Sequence, residues 1–168
     1  VADPHGTSLM LEAESESLEV MTQLLLLLAT TIDDGKMFET PDFVGAFPIH
    51  ALLVCNSPES LAVSMVVLQA KPTLLTQLHV SGGLGAYFNG ESCLHILIVN
   101  RREDELLRIL DLAEEKLEAE SFAQLLKQQP VGAFFMDPPM NLYGGTHLAY
   151  ACCFGLTSAI KRMLATNL

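Results

Sequence analysis

Histidines, cysteines and acids are the side chains here with chemistry to offer. His50 and His95 stand in similar surroundings, Pro-Ile-His and Cys-Leu-His, and an imidazole can ligate a metal or move a proton. Neither has a cysteine or aspartate at metal-ligand spacing. Both are therefore read as structural, each hydrogen bonding to a backbone turn. Cys152-Cys153 offers a redox or modification site, but one of two adjacent helix residues usually points inward, so a buried structural thiol is favoured. Glu12, Glu14, Glu16 and Glu19, and the pair Asp33-Asp34, lack calcium-loop spacing and read as a solvated acidic edge. Gly82-Gly83-Leu84-Gly85 lacks the lysine and following helix of a phosphate-binding loop. No nucleophile–base pair is evident, so no catalysis, metal or cofactor is expected. His79 belongs to no motif and is expected at the surface.

The elements around the two histidines are more informative. Residues 88–100 read FNGESCLHILIVN. Gly90 suits a turn where positive φ is needed, and Ser92 can cap a helix through its hydroxyl. Leu94, Leu97 and Ile98 give that helix one apolar face. The pattern T-P-L-H-x-A opens an ankyrin repeat, and Ser92 to Leu97 keep its Leu-His core. It recurs upstream at 45–53, with Gly45, Pro48 in the first helical turn and His50 in register; Phe47 departs, because it cannot cap. It recurs downstream at 143–152, with Gly144 and Thr146, but His147 replaces the usual proline. A fainter copy spans 6–13. The aligned slots Met10, His50, His95 and Ala149 are 40, 45 and 54 residues apart (10 to 50, 50 to 95, 95 to 149). An ankyrin repeat takes about 33 residues, so the extra residues must form loops.

Composition narrows the setting. A length of 168 residues fits one domain, and 50% hydrophobic residues supply a sizeable core. A net charge of −11 disfavours nucleic acid and anionic membrane surfaces, which call for clustered Lys and Arg. The four cysteines form no C-x-x-C pair, and buried thiols in a reducing cytosol are expected. The apolar run 24–29 is too short to span a membrane, which needs about 20 residues. It suits instead a helix packed between two neighbours. With no initiating methionine or signal peptide, the chain is expected to be part of a longer one.

These signals predict an all-α solenoid of about four helix pairs with long finger loops, in one domain over 1–168. Repeats are expected at about 6–35, 45–72, 90–113 and 144–166, with fingers at about 36–44, 73–89 and 114–143. Predicted helix pairs are 7–14 with 17–31, 47–55 with 58–71, 92–100 with 103–113, and 146–154 with 156–165. A turn is expected at 33–35 and a loop at 36–46. Ile160, Met163 and Leu164 are expected to face inward. The long finger 73–89 should be flexible or a hairpin, and Glu114 to Gln128 shows helical spacing at Leu117, Phe122, Leu125 and Leu126.

Degenerate ankyrin motifs with over-long loops resemble the cytosolic N-terminal domain of vanilloid-type transient receptor potential (TRP) cation channels. Residues 88–100, with their Ile-Val-Asn ending, look like that family's third repeat. The run Gly132-Ala133-Phe134-Phe135, the turn Asn141-Leu142-Tyr143-Gly144-Gly145 and the helix Leu148-Ala149-Tyr150-Ala151-Cys152 look like its next finger and repeat. Residues 65–75 resemble the helix and finger between. The resemblance implies a non-catalytic domain on the cytoplasmic side of a membrane, acting in subunit assembly and regulation of calcium-permeable cation transport. Its partners would be other channel subunits or the channel's own cytosolic segments. Tyr87, Phe88, Phe134, Phe135 and Met136 are the candidate partner surface. ATP or calmodulin, bound by some relatives, is disfavoured, because Lys71, Arg101 and Arg102 are the only basic residues expected near the inner face. The alternative reading is an ankyrin interaction module of a soluble scaffold or signalling protein.

Overall fold

The computed structural model describes residues 33–80, 87–136 and 142–166, together with Val20, Gln23 and Leu24. The faint copy at 6–13, the predicted pair 7–14 with 17–31, and most of the apolar run 24–29 lie outside these residues. So do Gly82, Gly83, Gly85, Pro138 and Pro139. Among the described residues the chain is helical, and its only β pairing is an isolated antiparallel bridge between Leu78 and Ser92.

Seven α-helices are described: α1 Pro48–Cys55, α2 Pro58–Ala70, α3 Cys93–Val99, α4 Glu103–Lys116, α5 Ala119–Lys127, α6 His147–Phe154 and α7 Thr157–Ala165. Their starts follow from local chemistry. Pro48 and Pro58 occupy first-turn positions where a missing N–H costs nothing. Ser57 and Ser60 satisfy one another's backbone N–H groups at 3.1 and 3.0 Å, a reciprocal cap on α2. Glu103, Asp104 and Glu105 fill the first turn of α4, where the helix dipole favours acids. Residue 56, an asparagine in the left-handed conformation, ends α1, and Gly155 ends α6 in the same way.

Helix α1 packs on α2, α3 on α4, and α6 on α7. The first helices, α1, α3 and α6, form one row, and the second helices, α2, α4 and α7, form another. The middle helix α3 has neighbours on every side, so Cys93 through Ile98 are all buried. Leu94, Leu97, Ile98, Leu106, Ile109 and Leu110 form the centre of the core. Polar links also tie successive pairs. The Glu103 carboxylate accepts from the backbone N–H groups of Ser158 and Ala159 at 2.7 and 3.0 Å, and so caps α7, which lacks a cap of its own. Arg102 donates to the Asn56 side chain and carbonyl at 2.6 and 2.9 Å.

Several expectations need correction. The segment 33–39 is a 3-10 helix, not a turn and loop, because Phe38 is drawn into the core. Helix α4 runs on to Lys116, three residues past the predicted end, since Leu112 and Ala113 are buried on its last turns. Part of the finger 73–89 is neither flexible nor loose: a 3-10 helix, Pro72–Thr76, buries Leu74 and Leu75. Leu164 points to solvent; Ala159 and Met163 carry the inner face of α7. Of the four thiols only Cys93 is buried, where desolvation pushes its pKa up to about 12. Cys152 and Cys153 are both exposed, because His147, Tyr150 and Ala151 define the buried face of α6 and leave them on the other side.

Candidate functional site

The turns ahead of α1, α3 and α6 are joined by main-chain hydrogen bonds into one continuous row. The Val80 N–H donates to the Gly45 carbonyl at 3.2 Å, and the Gly90 N–H to the His79 carbonyl at 2.8 Å. Val131 donates to Asn89 and Gly144 to Pro130, each at 2.8 Å. Gly45, Gly90 and Gly144 all take positive φ. At Gly90 the constraint is double, since φ is +82° and an added Cβ would stand 2.7 Å from the Gln129 carbonyl. At Gly132 it is absolute, because a Cβ would stand 2.1 Å from the Tyr87 carbonyl.

Against this row lie two histidine clusters. In the first, His95 Nδ1 accepts from the Ser92 N–H at 3.2 Å, and Ser92 Oγ accepts from the His95 N–H at 3.4 Å. The same hydroxyl lies 2.9 Å from His95 Nδ1 and 2.7 Å from His147 Nε2. His147 Nδ1 faces the Leu126 carbonyl at 3.4 Å. A carbonyl only accepts, so Nδ1 carries the proton and Nε2 accepts from the Ser92 hydroxyl. The His95 and His147 ring centroids lie 3.9 Å apart with the planes tilted by 34°, and Tyr150 lies 4.8 Å from His95. Burial, with the His147 ring adding to it, holds His95 well below the usual imidazole range, and burial lowers His147 to about 4. The Ser–His geometry resembles an activated nucleophile, but Ser92, His95 and His147 are each 0% exposed, so no substrate reaches them. The cluster is a sealed clasp between α3 and α6.

The second cluster is open. His50 holds the same third helical position as His95; its Nδ1 accepts from the Phe47 N–H at 3.4 Å, and its Nε2 lies 3.3 Å from the Gln77 carbonyl. Phe47 supplies no cap, as its side chain dictates. Burial lowers His50 to about 4. Its ring stacks at 6.2 Å on His79, which is only 5% exposed, so His79 is a buried residue rather than the surface one expected. The antiparallel bridge beside it explains this: the His79 N–H donates to the Glu91 carbonyl at 2.8 Å and draws the ring inward. His50, His79 and Glu91 line a groove of about 400 Å³, otherwise mostly apolar, with Val54, Ile96, Val99, Phe88 and Phe134 among its walls. Desolvation raises the Glu91 carboxyl to about 7.

The four candidate surface aromatics and Met136 divide. Tyr87, Phe88, Phe134 and Met136 are 45%, 36%, 44% and 52% exposed. The Phe88 and Phe134 rings lie 5.0 Å apart, and Tyr87 is 6.0 Å from Phe134. Phe135 is a correction: at 3% exposure it belongs to the core, packed on Tyr150, while its carbonyl accepts from the Leu142 and Tyr143 N–H groups. The three basic residues have other tasks. Lys71 pairs with Glu39, Arg102 with Asn56, and Arg101 lies over the Phe154 ring. Among the described residues no group of three or more His, Cys, Asp or Glu is placed to hold a metal. No described helix is long and apolar enough to cross a membrane.

The sequence did not single out His147, His79 or Glu91 as site residues. His147 carried one signal, a polar ring in the slot where the motif favours proline. A scan against protein-family models gives no match to the chain, and a search of the curated proteins gives none either.

Proposed function

We propose that this chain is an ankyrin-repeat interaction domain acting on the cytoplasmic side of a vanilloid-type TRP cation channel, in subunit assembly and regulation of calcium-permeable cation transport. The helix starts at Ile49-His50 and Leu94-His95, the two rows of helices and the long loops fastened side by side support the repeat reading. One observation carries the interaction role. Successive loops bring Tyr87, Phe88 and Phe134 together as an exposed apolar edge, with Met136 beside them in sequence. Exposed aromatic and methionine side chains of this kind are enriched where proteins meet. The partner is a neighbouring subunit or the channel's own cytosolic segment. ATP and calmodulin fit poorly, because Lys71, Arg101 and Arg102 are engaged elsewhere. The reading assigns no catalytic step.

The test uses the complete gene product. Tyr87→Ser with Phe134→Ser, leaving Phe135 intact for folding, should lower both tetramer assembly and cation current several-fold. Tethered subunits supply a high effective concentration, so an isolated domain that stays monomeric is compatible with this. Normal assembly and current, with the domain still folded, overturns the channel role and leaves the soluble scaffold reading.

A further inference from the structure

Glu91 is the one acidic side chain of the groove between α1, α3 and the loop aromatics, and no lysine or arginine lines that groove. Among the described residues its carboxylate forms no hydrogen bond and no ion pair, and burial is the sole cause of its displaced titration. His50 does not neutralise it, because desolvation keeps that ring uncharged and its Nε2 faces the Gln77 carbonyl. Burial also lowers the His79 pKa, opposed by the Asp42 carboxylate, and its Nδ1 has no hydrogen-bond partner. The groove therefore joins an uncompensated acid, two aromatic rings and a branched aliphatic wall in about 400 Å³, a volume near the lower end for small-molecule sites.

We propose that this groove binds a small organic ammonium ion, a ligand with one protonated amine on a compact apolar body. The amine sits on the Glu91 carboxylate and supplies the countercharge that the protein withholds. The Phe88 and Phe134 rings, 5.0 Å apart in the groove wall, offer the ammonium a second favourable surface. Val54, Ile96 and Val99 take the apolar body. An anion finds no positive group there and is repelled by Glu91. A neutral ligand of the same shape gains the apolar contact but leaves the acid unpaired. Binding of the ammonium holds Glu91 ionised, so affinity rises with pH as the free carboxyl loses its proton, from about pH 6 to about pH 8. Cys93 on α3 and Tyr150 on α6, the other titratable groups that feel the Glu91 charge, are pushed up by burial and keep their protons across that range. This inference stands apart from the channel reading and survives its failure.

The probes are 3-phenylpropylammonium, 3-phenylpropanol and 3-phenylpropanoate, titrated into the chain while the Val54, Ile96 and Val99 methyl signals are followed by NMR. At about pH 8 the amine should bind about tenfold more tightly than the alcohol, and the carboxylate should not bind. At about pH 6 the preference for the amine should shrink. Glu91→Gln should bring the amine down to the level of the alcohol while alcohol binding persists, which shows that the groove is intact. Equal binding of amine and alcohol by the unaltered chain at about pH 8 overturns the proposal. Amine binding that Glu91→Gln does not weaken overturns it as well.

Discussion

His50 and His95 hold the same position of equivalent helices, and each accepts from the N–H of its own N-cap residue. Their surroundings diverge. Beside His95, the Ser92 hydroxyl reaches on to His147 and closes a clasp from which solvent is excluded. Beside His50, Phe47 offers no hydroxyl, the neighbouring ring is His79 at a looser 6.2 Å, and a groove opens. One slot, filled twice by the same residue, thus gives a structural lock in one case and the wall of a cavity in the other. The deciding residue is the N-cap, three positions earlier, together with the loop that crosses in front.

The largest expected effect of this contrast is on acid stability. Burial keeps His95 and His147 neutral, so below the ordinary imidazole pKa of 6.5 the unfolded chain binds more protons than the folded one. Their stabilisation is complete above that pH and is lost as the pH falls towards about 4. In the groove, His50 and His79 act in the same sense, but Glu91 opposes them. Its carboxyl is raised from 4.5 to about 7, so its contribution is present below 4.5 and disappears as the pH rises through about 7. The clasp therefore dominates, and unfolding free energy should rise by roughly 2–3 kcal/mol per pH unit between about pH 4.5 and 6.5. Urea melts across that window check it. His147→Asn should flatten the slope and Glu91→Gln should steepen it; a profile that neither variant changes breaks the contrast.

Next in size is the paired removal of the two histidines. His95→Ala leaves a cavity and strands the Ser92 N–H without water, for a loss of about 3 kcal/mol. His50→Ala should lose only about 1 kcal/mol, because water in the groove can reach the groups it leaves. Equal shifts in denaturant midpoint would mean that the two sites are not differently enclosed. The smallest effect sharpens the role of the N-cap. Phe47→Ser supplies the missing hydroxyl, worth about 1 kcal/mol, and gives up a half-buried ring that meets His50 edge-on. The net change in thermal stability should stay within about 1 kcal/mol. A much larger loss would assign the first turn of α1 to ring packing instead of capping.

How much of this was legible in the sequence depended on range. Helix starts were readable because their causes are local: Ser57-Pro58-Glu59, Ser92 with His95, and the acids of 103–105 act within a few residues. Cys152 and Cys153 could have been placed outward from the phase of His147, Tyr150 and Ala151, and Leu164 from that of Ala159 and Met163. The site was harder, because its members come from separate loops. Ser92 meets His147 across 55 positions, and Glu91 shares its groove with Phe134 from the next loop. His79 looked like an isolated polar residue because only its pairing with Glu91 turns it inward. Phe134 and Phe135 were inseparable in sequence, and the 3-10 turn that sends one out and the other in leaves no periodic trace.

The main-chain row that joins the turns gives the molecule a mechanical grain. Gly45 to Val80, His79 to Gly90, Asn89 to Val131 and Pro130 to Gly144 are links in a single line, each handing over to the residue next door. A tension drawn along that line loads the links in series, so every link carries the whole force while the others hold. Between His79 and Gly90 the link is doubled by a neighbouring hydrogen bond, from the His79 N–H to the Glu91 carbonyl at 2.8 Å, whereas Val80 hangs on Gly45 by one of 3.2 Å. Extension should therefore begin at the Gly45 end and leave the α3–α6 clasp closed. Among the described residues the chain would behave as a spring that yields first at its Gly45 end.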